Sequence, residues 1–318
     1  MSSEPKYIRK VALIGGTGHV GSHILKHLLG TSQHTITALT RQPSSKFPTS
    51  PNLNVLSITY DDQTALINAL RGHDFLIITL SARAPPTLHR RLVSAAATAG
   101  IPYVLPNYYG YGLGAHAIRD PIADFSHYIT DVAQTPDVSY VALVCGSWYE
   151  FSLAMGEPWF GFRIRDRSVT LYGDGRKKVS VSTWERCGEG VASLLCLPVG
   201  EGVARWKDKE VYVSSFLVSQ RDMLESLHRV LGTTDAEWTI SYEEPAERLR
   251  AGKEQFAKGE FLGFAKALYA AVFVDENADF ETRRGVDNGA LGLGSEDLDA
   301  ATRRAVAMAE GEIGDLGY

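Results

Sequence analysis

The sequence lacks the features that mark secreted proteins and nucleic-acid-binding proteins. Only three of its 318 residues are cysteines, and no two of them form a C-x-x-C pair. That usage fits a reduced compartment better than a disulfide framework. The formal net charge is −5, so no basic excess is available to neutralise the phosphates of a nucleic acid or of a membrane surface. We therefore predict neither of these partners.

Long apolar runs are also missing. No stretch approaches the roughly 18 consecutive apolar residues that a membrane-spanning helix needs. The N-terminal residues, MSSEPKYIRK, have no apolar core of the signal-peptide kind. The composition, 44% apolar and 22% charged, is typical of a globular protein with a sizeable core. We predict a cytoplasmic protein that binds a small-molecule substrate, and we leave a homodimer open.

The first half of the chain alternates two kinds of pattern. KVALIG, TITALT, NVLSITY, DFLIITLS and PYVLP are short and rich in apolar or β-branched residues, as strands are. VGSHILKHLL, DQTALINALRG and TLHRRLVSAAATAG carry apolar residues at helical spacing, and the last two end at a glycine. The alternation predicts an α/β fold of the Rossmann type, a doubly wound parallel sheet with helices on both faces.

This alternation stops after Gly146. VTLYGDGRKKVSVST predicts two strands around a Gly-Asp-Gly turn, EVYVSSF predicts one strand, and the remainder is mostly helical and aromatic. We expect an NADP-binding Rossmann domain over residues 1–150 and a smaller C-terminal α+β substrate lobe over residues 151–318. Residues 179–217 or thereabouts are expected to return to the Rossmann domain.

The stretch VALIGGTGHVGSHIL carries the strongest chemical signal. Gly16, Gly18 and Gly21 satisfy G-x-G-x-x-G, and Gly15 opens an overlapping G-x-x-G-x-x-G. A strand must end there, turn tightly and start a helix whose N–H groups face a pyrophosphate. A glycine-rich turn without a ligand is the alternative, but the motif follows a predicted strand and opens a predicted helix. We therefore predict dinucleotide binding by Gly15, Gly16, Thr17, Gly18, His19, Val20 and Gly21.

The end of the second predicted strand indicates which dinucleotide binds. An NAD site has an acidic residue about 20 positions beyond the glycines, which holds the ribose hydroxyls. This chain has LTRQPSSK there, and no Asp or Glu occurs between residues 5 and 60. The guanidinium of Arg41 can bind the 2′-phosphate of NADP, with Lys46 as a second positive charge. Ser44 and Ser45 can add hydroxyl donors. We predict NADPH or NADP+ as the cofactor, against the alternative of a solvated surface arginine.

The chain resembles a known family in several segments. GGTGHVGSHIL, ALTRQ and AGIPYVLPNYYGYG are similar to the NmrA-like and isoflavone-reductase-like branch of the atypical short-chain dehydrogenases. WYEFSLA, DGRKKVSVSTWERCGEGVASLL and VYVSSFLVSQRDMLESLHRVLG resemble a fungal subgroup of that branch. The resemblance covers nearly the whole chain. It implies a Rossmann domain, a smaller lobe over the nicotinamide, and NADPH as the reductant.

The resemblance also implies roles for single residues. It maps the family's first-strand glycines onto Gly15, Gly18 and Gly21, and its 2′-phosphate arginine onto Arg41. Further along the chain, it implies that Asp61 faces the adenine, that Ser81 lies along the cofactor, and that Pro106 and Asn107 meet the nicotinamide ring.

The family's catalytic lysine is absent. The matching stretch, ADFSHYITDVAQ, has no lysine, and none occurs between Lys46 and Lys177. The Tyr-x-x-x-Lys pair of other short-chain dehydrogenases is missing as well. A phenol or an imidazole within hydrogen-bond reach can supply the proton instead. Our candidates for that proton donor are Tyr108, Tyr109, His127 and Tyr128.

DVSYVALVCG at 137–146 predicts a sixth strand, and the aromatic residues that follow it suggest a substrate pocket. Trp148, Tyr149 and Phe151 are expected to form its walls, together with the aromatic second half of the chain. We predict an NADPH-dependent reductase of a small aromatic or conjugated carbonyl, imine or alkene. The alternative is a non-catalytic NADP(H)-sensing regulator that binds a protein partner. A sugar-nucleotide epimerase is disfavoured, because that chemistry relies on the missing Tyr-x-x-x-Lys pair.

Three further groups predict no site. His19, His23 and His27 share one helical edge, but no carboxylate lies near them in the sequence, so a solvated edge is expected rather than a metal site. HRRL at 89–92 is expected to be exposed charge on a helix. Cys145 lies in a predicted strand and is expected to be a core residue.

Overall fold

The computed structural model describes residues 6–42, 45–81, 84–119 and 125–311. Its strands are β1 (Lys10–Ile14), β2 (Thr35–Thr40), β3 (Leu53–Ser57), β4 (Phe75–Ile78), β5 (Tyr103–Leu105), β6 (Tyr109–Gly110), β7 (Ser139–Val144), β8 (Ser147–Trp148), β9 (Phe162–Arg163), β10 (Ser168–Tyr172), β11 (Val179–Ser182), β12 (Lys209–Tyr212), β13 (Phe216–Val218) and β14 (Thr239–Glu243).

The α-helices of the same residues are α1 (His19–Thr31), α2 (Gln63–Leu70), α3 (Pro86–Ala99), α4 (His127–Ala133), α5 (Tyr149–Ala154), α6 (Trp184–Cys196), α7 (Gln220–Leu231), α8 (Pro245–Ala257), α9 (Phe261–Val274), α10 (Phe280–Arg283) and α11 (Leu298–Glu310). Short 3-10 turns cover Asp235–Glu237 and Glu276–Ala278.

A parallel sheet forms the centre of the molecule. Within the described residues it has eight strands, seven of them in the order β12-β7-β5-β4-β1-β2-β3, with β6 paired to β7 beside that path. All neighbouring strands in it run parallel. The predicted Rossmann-type α/β fold is confirmed.

Both faces of this sheet are covered, as the strand sequences require. The side chains of β1 are buried from Val11 to Ile14, and because successive side chains point to opposite faces, they divide between two cores. Val11 and Leu13 pack in one core, and Ala12 and Ile14 pack in the other. An apolar run without polar alternation is therefore what a strand covered on both faces needs.

The helices complete the two layers. α1 packs against α6 on one side of the sheet, and α2 packs against α3 on the other. The apolar stripe of α1, with Ile24 and Leu28 fully buried, joins the first core, and Leu66 and Leu70 of α2 join the second. α3 ends where Gly100 adopts a left-handed conformation (φ 81°), as the sequence predicts.

The two strands predicted around the Gly-Asp-Gly turn are confirmed as β10 and β11, but they do not pair with each other as a hairpin. β10 and β11 flank this turn, but they lie in different sheets. β10 pairs with β9 and β14, whereas β11 pairs with β8 and β13. Gly173 and Gly175 both have positive φ, and the chain uses them to leave one small sheet for the other.

The predicted strand EVYVSSF is split in the same way. Its first three residues lie in β12, at the edge of the parallel sheet beside β7, and its last residue, Phe216, begins β13, in the sheet of β11. Between them, Ser214 is held by distant side chains: its N–H donates to Asn288 (3.2 Å) and its hydroxyl donates to Glu281 (2.8 Å). These contacts replace ladder hydrogen bonds at the break.

The rest of the second half packs as helices on these small sheets. α8 and α9 pair closely, and α11 lies against α5 and α7. α6 packs beside α1 in the first core, and β12 pairs with β7 at the edge of the parallel sheet. The exact domain boundaries stay a prediction. Among the described residues, no helix is both long and apolar enough to cross a membrane.

A buried arginine fixes α8. The guanidinium of Arg248 has no exposed surface and bonds the carboxylates of Glu157 (2.7 Å) and Glu243 (2.6 Å). It also donates to the carbonyl oxygen of Glu157 and lies over the ring of Tyr172, 4.6 Å from the ring centroid. A buried charge with this many partners stabilises the fold only while all of them remain.

We expect the Arg248→Leu variant to lose about 3 kcal/mol in free energy of unfolding, because Glu157 loses its cation and Glu243 keeps only its pair with Lys266 (3.4 Å). Urea denaturation of wild type and variant measures this loss. The matched control is Arg250→Leu on the same helix, whose exposed pair with Glu254 (3.0 Å) contributes less than about 1 kcal/mol. Equal losses in the two variants would contradict this account.

Candidate cofactor and substrate site

The glycine-rich turn joins β1 to α1 as a nucleotide-binding turn should. The N–H of Gly18 donates to the carbonyl oxygen of Gly15 (2.9 Å), and Gly18 is the N-cap of α1. No side chain caps this end of the helix. A helix that opens on glycine, without a hydrogen bond from the side chain of its N-cap residue, is the arrangement that binds pyrophosphate.

Two of the glycines are required by close contact. Gly15 has φ 84°, and a Cβ added there would lie 1.9 Å from the carbonyl oxygen of Thr79, just after β4. A Cβ on Gly21 would lie 2.2 Å from the carbonyl oxygen of Gly15. The turn, the helix and the neighbouring strand thus meet without room for a side chain. Such a cradle fits a dinucleotide.

The remaining residues of the turn divide between core and surface. Val20 is buried in the first core, Gly16 packs beside Leu13, and Thr17 is half-buried. The ring of His19 stacks on Trp184, with 4.7 Å between centroids and 9° between planes. His19 is therefore fixed by α6, at the start of α1.

The predicted adenine end is exposed and basic. Arg41 follows β2 directly, and its side chain is exposed, as is that of Lys46. Ser45 is exposed too, whereas Ser44 lies outside the described residues. Asp61 follows β3, is exposed, and forms an ion pair with Arg91. Both cations follow the end of β2, where the sequence predicts the 2′-phosphate. The contact of each with the cofactor stays a prediction.

The predicted nicotinamide end lies at the ends of β4 and β5. Ser81 follows β4 and is exposed, and Pro106 is buried just after β5. The side-chain oxygen of Asn107 accepts the N–H of Leu80 (2.7 Å), which joins the two strand ends. The N–H of Asn107 donates to the imidazole of His89 (3.3 Å).

A cavity of about 230 Å³ opens beside these strand ends. Its walls come from the segments after β5 and β7, from α5 and from α9. The lining residues are Tyr108, Tyr109, Gly110, Tyr111, Ile118, Arg119, Phe125, Gly146, Ser147, Trp148, Phe151, Trp159, Phe261, Phe264, Ala265, Leu268, Tyr269 and Val272. Ten of them are aromatic, so the cavity suits an apolar, planar ligand.

Each tyrosine hydroxyl in these walls has an acceptor or partner in the protein. Tyr108 donates to the carbonyl oxygen of Tyr111 (2.7 Å), and Tyr111 donates to that of Ser180 (3.1 Å). Tyr269 shares a hydrogen bond with Ser152 (2.6 Å). These bonds fix the rings, so the cavity keeps its shape without a ligand.

Tyr109 lines the cavity, and its hydroxyl group lies at the end of β4, the strand end that the nucleotide turn contacts. It donates to the carbonyl oxygen of Ile78 (3.1 Å), the residue before Thr79. Burial raises the pKa of Tyr109 well above its usual value, and the nearby thiols Cys145 and Cys187 raise it further. The phenol therefore keeps its proton at neutral pH. Cys145 is a fully buried core residue, as predicted.

The structure separates the other two candidate donors from the cavity. Tyr128 is buried with its ring against His89 (4.5 Å between centroids), and the exposed His127 packs on Tyr128 (4.0 Å). Neither lines the cavity, but Phe125, just before them, does. The segment that should hold the family's lysine thus contributes an aromatic wall.

Of the three predicted wall residues, two line the cavity. Trp148 and Phe151 do so, and the ring of Phe151 lies 6.1 Å from that of His19. Tyr149 points to the other side of α5, where it is fully buried and its hydroxyl bonds Thr302 of α11 (2.7 Å). On a short helix, neighbouring residues face different directions, and the sequence does not reveal which side faces the cavity.

Two groups differ from the sequence-based expectation. His23 and His27 do have a carboxylate nearby: Glu185 of α6 lies 2.6 Å from the first and 3.3 Å from the second, and it also pairs with Lys26. This edge of α1 is thus a contact with α6. Within the described residues, no group of three or more His, Cys, Asp or Glu side chains is arranged to hold a metal ion.

The segment HRRL is not simply exposed charge. His89 has no exposed surface, and it bonds the buried carboxylate of Asp131 (3.0 Å). Arg90 and Arg91 are paired with Asp131 and Asp61. The signal was present in the sequence, because His89 shares a helical stripe with Leu92, Val93 and Ala96 at i, i+3, i+4 and i+7, all of them buried.

Comparison with known proteins agrees with this geometry. Residues 15–135 match the NAD(P)H-binding family model. The oxidoreductase aprR of Aspergillus flavus is 24% identical over 261 residues, which cover 80% of this chain and 84% of the relative. The crystal structure of isoflavone reductase matches with a TM-score of 0.71 at 17% identity, over 93% of this chain and 99% of that one.

A further structure was solved with the cofactor. The Citrobacter triphenylmethane reductase complexed with NADP(H) matches with a TM-score of 0.64 at 19% identity, over 93% of this chain and 99% of that one. At such identities the likeness of structure establishes the fold. Together with the family match over residues 15–135, it supports the predicted NAD(P)H-binding fold, which is like that of isoflavone reductase.

We expect the Gly21→Ala variant to weaken NADPH binding at least about tenfold and to lower the free energy of unfolding by about 1–3 kcal/mol, because the new methyl group overlaps Gly15. Fluorescence titration and urea denaturation measure the two effects. Gly30→Ala is the control on the same helix. Nothing lies within 4 Å of a Cβ there, so it should keep the affinity and gain up to about 1 kcal/mol. Unchanged binding in Gly21→Ala would contradict the role given to this turn.

Proposed function

We propose, from the premise that the chain has an NAD(P)H-binding fold like that of isoflavone reductase, that it is an NADPH-dependent reductase of a small, neutral, aromatic or conjugated metabolite. The reducible group is a carbonyl, an imine or an alkene. NADPH supplies a hydride from nicotinamide C4 to the electron-poor carbon of that group, and a protein side chain supplies the proton. The substrate gains one hydride and one proton, which together are two electrons and two protons, and the cofactor leaves as NADP+.

The observation that supports this proposal is the position of the aromatic cavity. Ligands of open parallel sheets bind outside the carboxyl ends of the strands. The cavity lies at that edge, after β5 and β7, and shares Phe151 with the surroundings of the nucleotide turn. Among the lining residues that the structure describes, Arg119 is the charged side chain, and none of them is a carboxylate. When a neutral aromatic substrate binds, Arg119 is therefore the one charged group of this described lining that would lose water.

The preference for NADPH over NADH rests on charge at the end of β2. Arg41 is exposed there with Lys46 nearby in sequence, and no acidic residue occurs between residues 5 and 60. An arginine fork binds a phosphate through two charge-assisted hydrogen bonds, whereas a ribose hydroxyl offers it much less.

Tyr109 is the proton donor that we favour among the four candidates. It lines the cavity, and its hydroxyl lies at the end of β4, beside the turn that would hold the cofactor. Rotation about the Cζ–Oη bond moves its proton from Ile78 to a substrate atom without moving the ring. Tyr108 also lines the cavity, but its hydroxyl is directed back to Tyr111. His127 and Tyr128 could reach a substrate in the cavity only after a movement of α4 or of Phe125, which lies between Tyr128 and the cavity.

A cofactor-sensing regulator remains the second candidate, and one observation favours it. The cavity walls contain no lysine, histidine or carboxylate among the described residues, and the phenols in them already have partners. A sensor of this kind would bind NADPH at the same turn and never oxidise it. Turnover of NADPH with an aromatic acceptor separates the two functions.

Three further expectations are part of the proposal. The cysteines Cys145, Cys187 and Cys196 are all free thiols, which suits a cytoplasmic location. Residues 1–150 would serve as the cofactor domain and residues 151–318 as the substrate lobe, with a return of the chain around residues 179–217. A homodimer is compatible with this arrangement.

We expect the Arg41→Ala variant to bind NADPH about 10–100 times more weakly, because charge-assisted hydrogen bonds to the 2′-phosphate are lost. Its affinity for NADH should change by less than about threefold. Isothermal titration with both cofactors measures the ratio, and Arg250→Ala, an exposed arginine on α8, is the control. A parallel loss for both cofactors would show that Arg41 does not read the 2′-phosphate.

We expect the Tyr109→Phe variant to lower kcat by about 10²–10⁴, the usual contribution of a positioned general acid. The NADPH dissociation constant should stay within about threefold of wild type, because the ring remains in place. Stopped-flow oxidation of NADPH by a conjugated aromatic ketone or quinone measures the rate.

Tyr103→Phe is the matched control for this variant. Tyr103 lies at the amino end of β5, away from the cavity lining, so loss of its hydroxyl should leave kcat unchanged. Full activity in Tyr109→Phe would exclude the phenol as the proton donor and return the choice to Tyr108, His127 and Tyr128.

A further inference from the structure

A buried imidazole stands behind the predicted nicotinamide end of the site. His89 lies on α3 and has no exposed surface. Its Nδ1 atom lies 3.0 Å from Oδ2 of Asp131 on α4, and its Nε2 atom lies 3.3 Å from the backbone nitrogen of Asn107. Neither His89 nor Asp131 is among the site residues predicted from the sequence.

These contacts determine which ring nitrogen of His89 carries the proton. A peptide nitrogen can only donate, so Nε2 of His89 must accept from Asn107, and Nδ1 then carries the proton and donates to Asp131. Burial lowers the pKa of His89 to about 4, although the hydrogen bond and charge of Asp131 oppose that shift. The ring is therefore neutral at neutral pH and can serve as a permanent acceptor for Asn107.

Asn107 connects His89 to the segment that follows β4. The ladder between β4 and β5 ends with the pair Ile77 and Leu105. Beyond it, the side-chain oxygen of Asn107 accepts the N–H of Leu80 at 2.7 Å. Hydrogen bonds between strands thus give way to a chain from Asp131 through His89 and Asn107 to Leu80.

The same pair holds one wall of the cavity. Asp131 also accepts from Nε of Arg90 (2.9 Å), which leaves both of its oxygens engaged. The ring of Tyr128 packs on His89, and Phe125 stacks parallel to Tyr128 with 6.2 Å between centroids. Phe125 lines the cavity. A shift of His89 would therefore move both strand ends and the wall opposite them.

We infer that His89 and Asp131 form a positioning pair that sets the Asn107 and Leu80 peptides against the nicotinamide ring of bound NADPH. The inference rests on the proposed function, since it needs the cofactor to lie at these strand ends. Neither side chain touches the reacting atoms. Their contribution is to keep the peptide groups at a fixed distance, which matters because small displacements of bound reactants cost large factors in rate.

The reach of the side chain at position 89 provides the test. In His89→Asn, the amide can occupy the place of Nδ1 and satisfy Asp131, but it is too short to accept from Asn107. In His89→Gln, the longer amide can occupy the place of Nε2 and accept that N–H. The two variants are both polar and similar in volume, so they differ chiefly in which neighbour they satisfy.

His34→Asn is the control for stability alone. His34 is another buried histidine, and its ring bonds the carbonyl oxygen of Ile8 (3.1 Å) near the amino end of β2, at the opposite edge of the sheet from the site. Its loss should lower the melting temperature without changing cofactor binding. A fall in stability can thus be separated from a fall in affinity.

We expect His89→Asn to bind NADPH about tenfold or more weakly, as one buried N–H loses its acceptor, and to lower kcat with little change in the KM of the aromatic acceptor. His89→Gln should recover most of the affinity. NADPH fluorescence titration and circular dichroism melting on all three variants and wild type measure this. Wild-type affinity in His89→Asn, with a lower melting temperature like that of His34→Asn, would overturn the inference and leave His89 a purely structural residue.

The affinity measurement also keeps this inference separate from the proposed reaction. If wild type binds NADPH but reduces no acceptor, the reductase proposal fails, and weaker binding in His89→Asn would still support the positioning pair. Suppose instead that wild type turns over an acceptor, but the affinity for NADPH does not fall in the order wild type, His89→Gln, His89→Asn. The inference of a positioning pair then fails, and the reductase proposal stands.

Discussion

The contact between the β1–α1 turn and the end of β4 is the constraint on which the rest of the site depends. Gly15 and Gly21 meet each other and Thr79 with no space for a Cβ atom. Because of that contact, α1 can begin directly at the carboxyl edge of the sheet, with its first N–H groups facing outward. The ends of β4 and β5 then lie beside the turn, and the segments after β5 and β7 form the cavity around them.

The chemistry of the cavity follows from what fills its walls. Aromatic rings supply a shape for a planar ligand, and their hydroxyl groups are engaged by backbone carbonyl oxygens or by serine. A site of this kind binds through surface contact and excludes water. It leaves proton transfer to a weak acid, and a phenol with a raised pKa can do that only where the substrate develops a strong negative charge. Carbonyl and imine reduction satisfy this condition.

Rigidity at the nicotinamide end has a separate origin. The parallel ladder between β4 and β5 stops after three pairs, and beyond it the strands would be free to separate. Asn107 closes that gap through its side chain, and His89 with Asp131 holds Asn107 from behind. Buried polar groups cost free energy unless they are fully paired. The presence of this series of hydrogen bonds in the core therefore indicates that the positions of the Asn107 and Leu80 peptides are important.

Local signals made the first half of the chain predictable. The strand that ends in glycines, the helix that starts after them and the apolar runs of β1 and β4 depend on residues close in sequence, and all were correct. The errors were of a different kind. β10 and β11 separate, and β12 and β13 separate, because each has a partner far away in the chain: β14, β8, β7 and β11. Tyr149 faces α11 and His89 faces Asp131. The helical stripe of His89 indicates that it is buried, but no nearby residue indicates either partner. The missing lysine could be read directly, but the residue that replaces it depends on which phenol the fold brings to the cofactor.

The most direct test of the central claim is transfer of deuterium from NADPH that carries it at nicotinamide C4. The protein is incubated with this cofactor and a set of neutral conjugated ketones, imines and quinones, and the products are analysed by mass spectrometry. The account predicts a product with one deuterium atom on carbon for at least one ketone or imine, formed at a rate that depends on the enzyme. Tight binding of the cofactor without oxidation, and without deuterium in any acceptor, would contradict the reductase and favour a cofactor sensor.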